Sequence, residues 1–235
     1  MNPGSAAPWL GDETVAVVDF ETTGMGPAHG ARATEVAVVL VRGGRVVDQY
    51  ASLMHTGVPV PPFIERLTGI SNDMLDKAPG AREVMAEVAA RTKGCPMVAH
   101  NASFDRGFWV DEMRRAGVDA STTPFTCTVK LARRLYPQAP NCKLGTLAAF
   151  HSLQAHGRAH RALADALVTA QLWQRIGTDA HALLAEPLAG APLSVALLHA
   201  LQSVPQRQWP RLAQASRRQL AQGAQLPFEE LAQPV

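Results

Sequence analysis

The chain has 235 residues, enough for one large domain or for one of about 150–200 residues with a tail. Hydrophobic residues make up 47% and charged residues 18%, so it can bury a core, which excludes a disordered chain. A formal net charge of +2 excludes a protein that holds nucleic acid by bulk positive charge; any such contact is local or assisted by metal ions.

The elements follow in chain order. Residues 1–12 read as a loose lead-in. TVAVVDF (14–20) is short, apolar and β-branched, the pattern of a buried strand. The Gly-rich ETTGMGPAHGAR (21–32) reads as a loop and ATEVAVVLV (33–41) as a second strand. Gly43-Gly44 then marks a hairpin into RVVDQYASLM (45–54). The Pro- and Gly-rich stretch 55–80 is irregular, with a short helix near Pro62–Leu67. A helix over 81–94 ends at Gly94, and PMVAH (96–100) is a short buried strand. A helix over 103–117 ends at Gly117, and TPFT (123–126) is an edge strand. Helices follow over 127–137, 143–153 and 160–177, the last closed by Gly177. Three early strands and then βα alternation predict a mixed sheet with helices on its faces.

Past Gly177 the composition shifts: the last Lys is Lys143, and eight Gln fall between 202 and 235. We therefore expect a lead at 1–12, a main domain over 13–177 and a helical, Gln- and Pro-containing extension over 178–235. Cys95, Cys127 and Cys142 form no CxxC pair, which argues against a disulfide framework or structural zinc and suggests reduced thiols in a cytoplasmic protein. The first 20 residues carry no Lys or Arg and no apolar h-region, so no targeting signal is read there. The most apolar helix candidate, 191–204, is shorter than the roughly 18 residues a membrane span needs, and no membrane partner is expected.

The polar residues in apolar company carry the chemistry. Asp19 and Glu21 alternate onto one face of the first strand, about 7 Å apart, where they can share or bridge divalent ions. Asp105 opens a helix after the PMVAH strand, where the helix dipole favours a carboxylate. Asp165 is a lone acid among Ala162, Leu163, Ala164, Ala166 and Leu167. His160 precedes it by five residues, about 140° around a regular helix, so it belongs on the loop or first turn ahead of that helix. Taken singly, each has an ordinary structural explanation: a solvated strand end, a helix start, an exposed face. Glu35, interrupting the second strand, fits a hydrogen-bond acceptor behind the site or a plain structural role better than a metal ligand.

Together, VVDFETTG (17–24), AHNASFDRGF (99–108) and HRALADA (160–166) resemble the DEDD-type 3'-5' exonucleases whose fifth residue is a His in an H-x4-D spacing. PPFIERLTGISNDML (61–75) matches that family too, and the resemblance covers about 13–177. It is greatest to the proofreading subunit of bacterial DNA polymerase III and its stand-alone relatives. The resemblance implies an α/β, ribonuclease-H-like fold with a mixed five-stranded sheet. It implies that Asp19, Glu21, Asp105 and Asp165 hold two Mg2+ or Mn2+ ions and that His160 takes a proton from water. Imidazole suits that task because histidine titrates near neutral pH. It also implies a nucleoside 5'-monophosphate product and terminal-nucleotide contacts at Thr22 and Thr23, while His100 and Asn101, which begin the turn before Asp105, suit either a substrate contact or a turn-stabilising role. Cys127-Thr128 departs from the Asp-Thr pair of many relatives.

The expected substrate is a single-stranded 3' end, DNA favoured. Two alternatives stay open: a 3'-5' exoribonuclease with the same five residues, and a polymerase-binding scaffold. The extension suits docking on a DNA polymerase subunit, and Gln225-Leu226-Pro227-Phe228 resembles a sliding-clamp peptide one residue short of the usual pattern.

Overall fold

A computed structural model describes residues 13–222. The lead-in over 1–12 and the 225–228 segment lie outside the described residues. The first apolar run forms β1 (Thr14–Thr22), followed by the hairpin of β2 (Ala33–Arg42) and β3 (Arg45–Leu53). The short strands are β4 (Met97–Ala99) and β5 (Phe125–Cys127). They make one mixed sheet in the order β3-β2-β1-β4-β5, with β1 antiparallel to β2 and parallel to β4. β1 runs two residues past its apolar pattern because Glu21 and Thr22 still pair with β2, through a register shift between them. Such a bulge re-aims side chains at a strand end.

The helices are α1 (Pro62–Thr68), α2 (Asn72–Asp76), α3 (Ala81–Arg91), α4 (Ala102–Ala116), α5 (Thr128–Leu135), α6 (Leu144–Phe150) and α7 (Ala162–Leu183). Three more close the described chain: α8 (Ala185–Leu188), α9 (Val195–Leu201) and α10 (Trp209–Ala221). α2 has no counterpart in the sequence reading: its five residues are too few to show a helical period, and Ser71 caps it by accepting from the Met74 amide. α3 stops at Arg91, three residues short of Gly94.

Period-two alternation divides β1 between two cores. Val15 and Val17 pack with α7 and the C-terminal helices; Ala16, Val18 and Phe20 pack with α3 and α4. Asp19 and Glu21 therefore continue the face that α7 covers.

α7 does not stop at Gly177. That glycine is buried mid-helix and the helix continues to Leu183, so the boundary expected near 177 falls inside α7. Leu193, Val195, Leu197, Leu198, Leu201 and Trp209 are fully buried in the same core as Val15 and Val17. β5 is the sheet edge, and Gln202 covers it. Its side-chain oxygen accepts from the Cys127 amide at 2.7 Å and its nitrogen donates to the Phe125 carbonyl at 3.2 Å. One amide thus supplies the two bonds a sixth strand would make. No helix among the described residues is long and apolar enough to cross a membrane.

Candidate active site

The site lies at the C-terminal ends of β1 and β4, where α4 and α7 begin. Asp19 and Glu21 come from β1, Asp105 from the first turn of α4, and Asp165 from the first turn of α7. Asn101 is the N-cap of α4, with φ 65° and ψ 46°, a left-handed turn that Asn tolerates better than most residues. That turn swings the chain from β4 into α4 and leaves Asp105 only 2% exposed. His160 sits two residues ahead of α7, also left-handed at φ 61°, and its backbone N–H donates to Asp165 Oδ2 at 3.2 Å. Outside the helix it escapes the 140° separation. Ligand atoms of Glu21, His160 and Asp165 lie within 4.8 Å of one another.

The electrostatics report crowding. Burial pushes Asp19 well above the usual carboxylate range, and Asp105, Glu21 and Asp165 push it further. Burial, with Asp165 and Glu35 next, raises Glu21 to about 8. Burial raises Asp105 to about 7 against the opposing pull of the Asp105 and Phe20 backbone N–H groups. Asp165 is raised by burial, opposed by its bond from His160. Burial raises all four acids, neighbouring acids add to it at Asp19 and Glu21, and Arg161 opposes it only at Glu21, a setting that a bound cation would relieve. All-oxygen donors with one imidazole fit a hard divalent cation better than zinc's preferred nitrogen and sulfur set. The residues present therefore fit a divalent metal ion, as the resemblance implies.

Thr22 and Thr23 shape the loop after β1. Thr22 Oγ1 donates to the Gly24 carbonyl at 2.8 Å, and Thr23 Oγ1 accepts from the Arg32 amide at 3.0 Å. His100 is engaged at both ring nitrogens, by Thr128 Oγ1 at 2.8 Å and the Cys142 carbonyl at 2.9 Å. Burial lowers its pKa to about 4, so the ring is neutral. A carbonyl only accepts, so Nε2 carries the proton and Nδ1 accepts from Thr128. His100 thus braces α5 and the 142 turn, while Asn101 is exposed at the mouth. Both line a cleft of about 1190 Å³ that also holds Arg133, Lys143, His160 and Asp165.

Two ion pairs behind the site were not legible as pairs. Arg32 binds Glu112 through Nε at 2.7 Å and Nη2 at 2.9 Å, and Glu112 is 1% exposed. Arg161 binds Glu35 through Nη2 at 2.7 Å and Nε at 3.1 Å. The only sequence signal was Glu35, an acid in an apolar strand; Glu112, among Asp111, Arg114 and Arg115, gave none.

Residues 16–173 match the family model RNase_T, described as Exonuclease. The chain is 36% identical over 170 residues to the DNA polymerase III PolC-type protein of Bacillus cereus, covering 72% of this chain and 12% of that one. It is 33% identical over 167 residues to the 3'-5' exonuclease DinG of Bacillus subtilis, covering 71% and 18%. The chain therefore spans less than a fifth of the length of either relative. Among solved structures, Exonuclease X in complex with 5' overhanging duplex DNA aligns at TM-score 0.54 and 28% identity, over 69% of this chain and 90% of that one. The nuclease domain of 3'hExo, a DEDDh family member bound to rAMP, shares the fold at TM-score 0.60 and 19% identity, over 71% and 92%. With the sheet order, the acid cluster and the histidine ahead of α7 on the page, the match over 16–173 places this chain in the RNase_T exonuclease family.

Proposed function

We propose that the chain is a metal-dependent 3'-5' exonuclease that releases nucleoside 5'-monophosphates from the 3' end of single-stranded DNA, in proofreading or repair. The observation that carries this reading is the meeting of Glu21, His160 and Asp165 within 4.8 Å, beside Asp19 and Asp105. Asp19, Glu21, Asp105 and Asp165 would hold two Mg2+ or Mn2+ ions, which supply positive charge for an attacking water and a leaving 3' oxygen. His160 is exposed to the cleft and stands as general base toward that water. Thr22 and Thr23 would present their turn to the terminal nucleotide. Asn101 would meet the strand, with His100 holding the cleft wall through Thr128 and Cys142. Arg133 and Lys143 line the same cleft and suit a phosphate backbone.

The exoribonuclease reading keeps the same residues and changes the sugar. The bound molecules named for the relatives include both DNA and rAMP. Docking of the C-terminal helices on a DNA polymerase subunit and a cytoplasmic location remain part of this reading as proposals. Two 5'-labelled strands of one sequence with free 3' ends, DNA and RNA, each with Mg2+ or EDTA, test it. Metal-dependent laddering on DNA supports the proposal, faster loss of RNA replaces the substrate, and no cleavage of either by folded protein rejects the activity.

A further inference from the structure

The segment that carries His160 is held from outside the catalytic cluster. A non-glycine residue at φ 61° is about 1–2 kcal/mol above its right-handed alternatives and persists only where neighbours impose it. Three anchors do so here. The His160 amide donates to Asp165. Two residues before it, Arg158 Nη2 donates to the Arg66 and Leu67 carbonyls at 3.3 and 3.4 Å, at the C-terminal end of α1. One residue after it, Arg161 forms its two-pronged bond with Glu35.

Glu35 does more than pair with Arg161. Its Oε2 also accepts the Ala162 amide at 2.9 Å, one of the first N–H groups of α7, which lack partners within the helix. The carboxylate is nearly buried, with a side-chain exposure of 6% against 37% for Arg161. It sits directly across the β1–β2 pairing from Glu21. One rigid strand pair therefore carries both Glu21 and the group that fixes the start of α7. With its oxygens on Arg161 and Ala162, Glu35 is turned away from ligand duty.

We propose that Glu35 is a positioning residue for His160, acting through Arg161 and the first amide of α7. This rests on the reading of His160 as the general base. A carboxylate that accepts three charge-assisted or dipole-favoured bonds sets the entry angle of α7 to the sheet. That angle fixes where His160 stands relative to Glu21.

The test is a double-mutant cycle with full-length protein. Glu35→Gln should lower kcat by about 10- to 100-fold, the range for groups that orient an active residue from behind. KM for the strand and the Mg2+ concentration for half-maximal rate should each move less than about threefold, within the non-specific scatter of such comparisons. In a His160→Ala background, under single-turnover conditions, Glu35→Gln should cost less than about twofold more, because residues acting as one unit are not additive. Losses that multiply in the double variant would overturn the proposal, as would an unchanged kcat or a Mg2+ requirement shifted as in Glu21→Gln. If Glu35→Gln does not fold, Arg161→Gln removes the same link from the more exposed side and is read the same way. A second readout needs no activity. With 15N-labelled histidine, the His160 ring signals should be single in the metal-free parent and broadened or doubled in the variant; identical signals would reject the link. If the parent cleaves no strand, the activity reading fails by itself and the ring signals alone decide the positioning.

Discussion

Replacing Glu21 by Gln should stabilise the metal-free protein at alkaline pH. The carboxyl is raised from an ordinary 4.5 to about 8 by burial and by Asp165 and Glu35. Its folded form therefore binds a proton more tightly than its unfolded form. The stability tied to that proton is fully present below the unfolded value and is lost as pH rises toward the folded one. Between pH 5.5 and 8.5 the linkage amounts to about 3 kcal/mol, at 1.36 kcal/mol per pH unit over most of that window. At roughly 2–4 °C per kcal/mol for a chain this size, this one carboxyl should take about 6–12 °C from the parent's Tm in EDTA over that range, with Asp19 and Asp105 adding to it. Glu21→Gln lacks this titration but keeps those of Asp19 and Asp105, so it should lose about 3 kcal/mol less than the parent over that range and melt above it at pH 8.5. Saturating Mg2+ should narrow that gap, since a ligand at about 100 times its Kd adds about 2.7 kcal/mol to the parent and less to the variant. Thermal unfolding followed by circular dichroism, in EDTA and in Mg2+ at both pH values, reads all of this. A Glu21→Gln protein that melts below the parent at pH 8.5 in EDTA would refute the account of the cluster as a cation-demanding site.

Other substitutions probe the remaining links. His160→Ala should keep Mg2+-induced stabilisation while slowing strand cleavage by about 10²–10⁴, measured by release of labelled nucleotide; loss of the stabilisation would make the ring a metal ligand instead. Gln202→Ala leaves the Cys127 amide and the Phe125 carbonyl without partners at a covered sheet edge, and urea unfolding should register about 2–4 kcal/mol. Trp209→Ala, in the core shared with β1, should cost about 3–5 kcal/mol in the same assay. Arg32→Ala strands a buried Glu112 carboxylate, and its destabilisation of about 3–5 kcal/mol should shrink when Glu112→Gln is added.

Much of the sheet was legible because its signals are local. The β-branched run before Asp19, the Gly43-Gly44 turn and the alternation across the hairpin each lie within a few residues, and period two alone assigns Asp19 and Glu21 to a common face. Asp19 and Asp165 stood out as acids that apolar surroundings make costly, while Glu21, Asp105 and His160 became candidates only through their joint spacing with them. Helix ends were less readable. A glycine marks a stop only where the chain has somewhere else to go, and Gly177 is held inside α7 by packing that Leu184, Leu188 and Trp209 complete.

The pairings of distant residues belong to the tertiary structure. Arg161 and Glu35 are separated by 126 positions, Arg32 and Glu112 by 80, and Cys127 and Gln202 by 75. A carboxylate in a strand announces that it needs a partner; which cation arrives depends on how α4 and α7 cross the sheet. The same holds for the raised Glu21 and Asp105, whose shifts come from burial and neighbours rather than residue type. Sequence determined which side chains are candidates for the chemistry, because residue type and local period are properties of the chain. Tertiary packing decided how close those atoms stand and what holds them there, because desolvation and Coulomb forces depend on distances that only the folded chain defines.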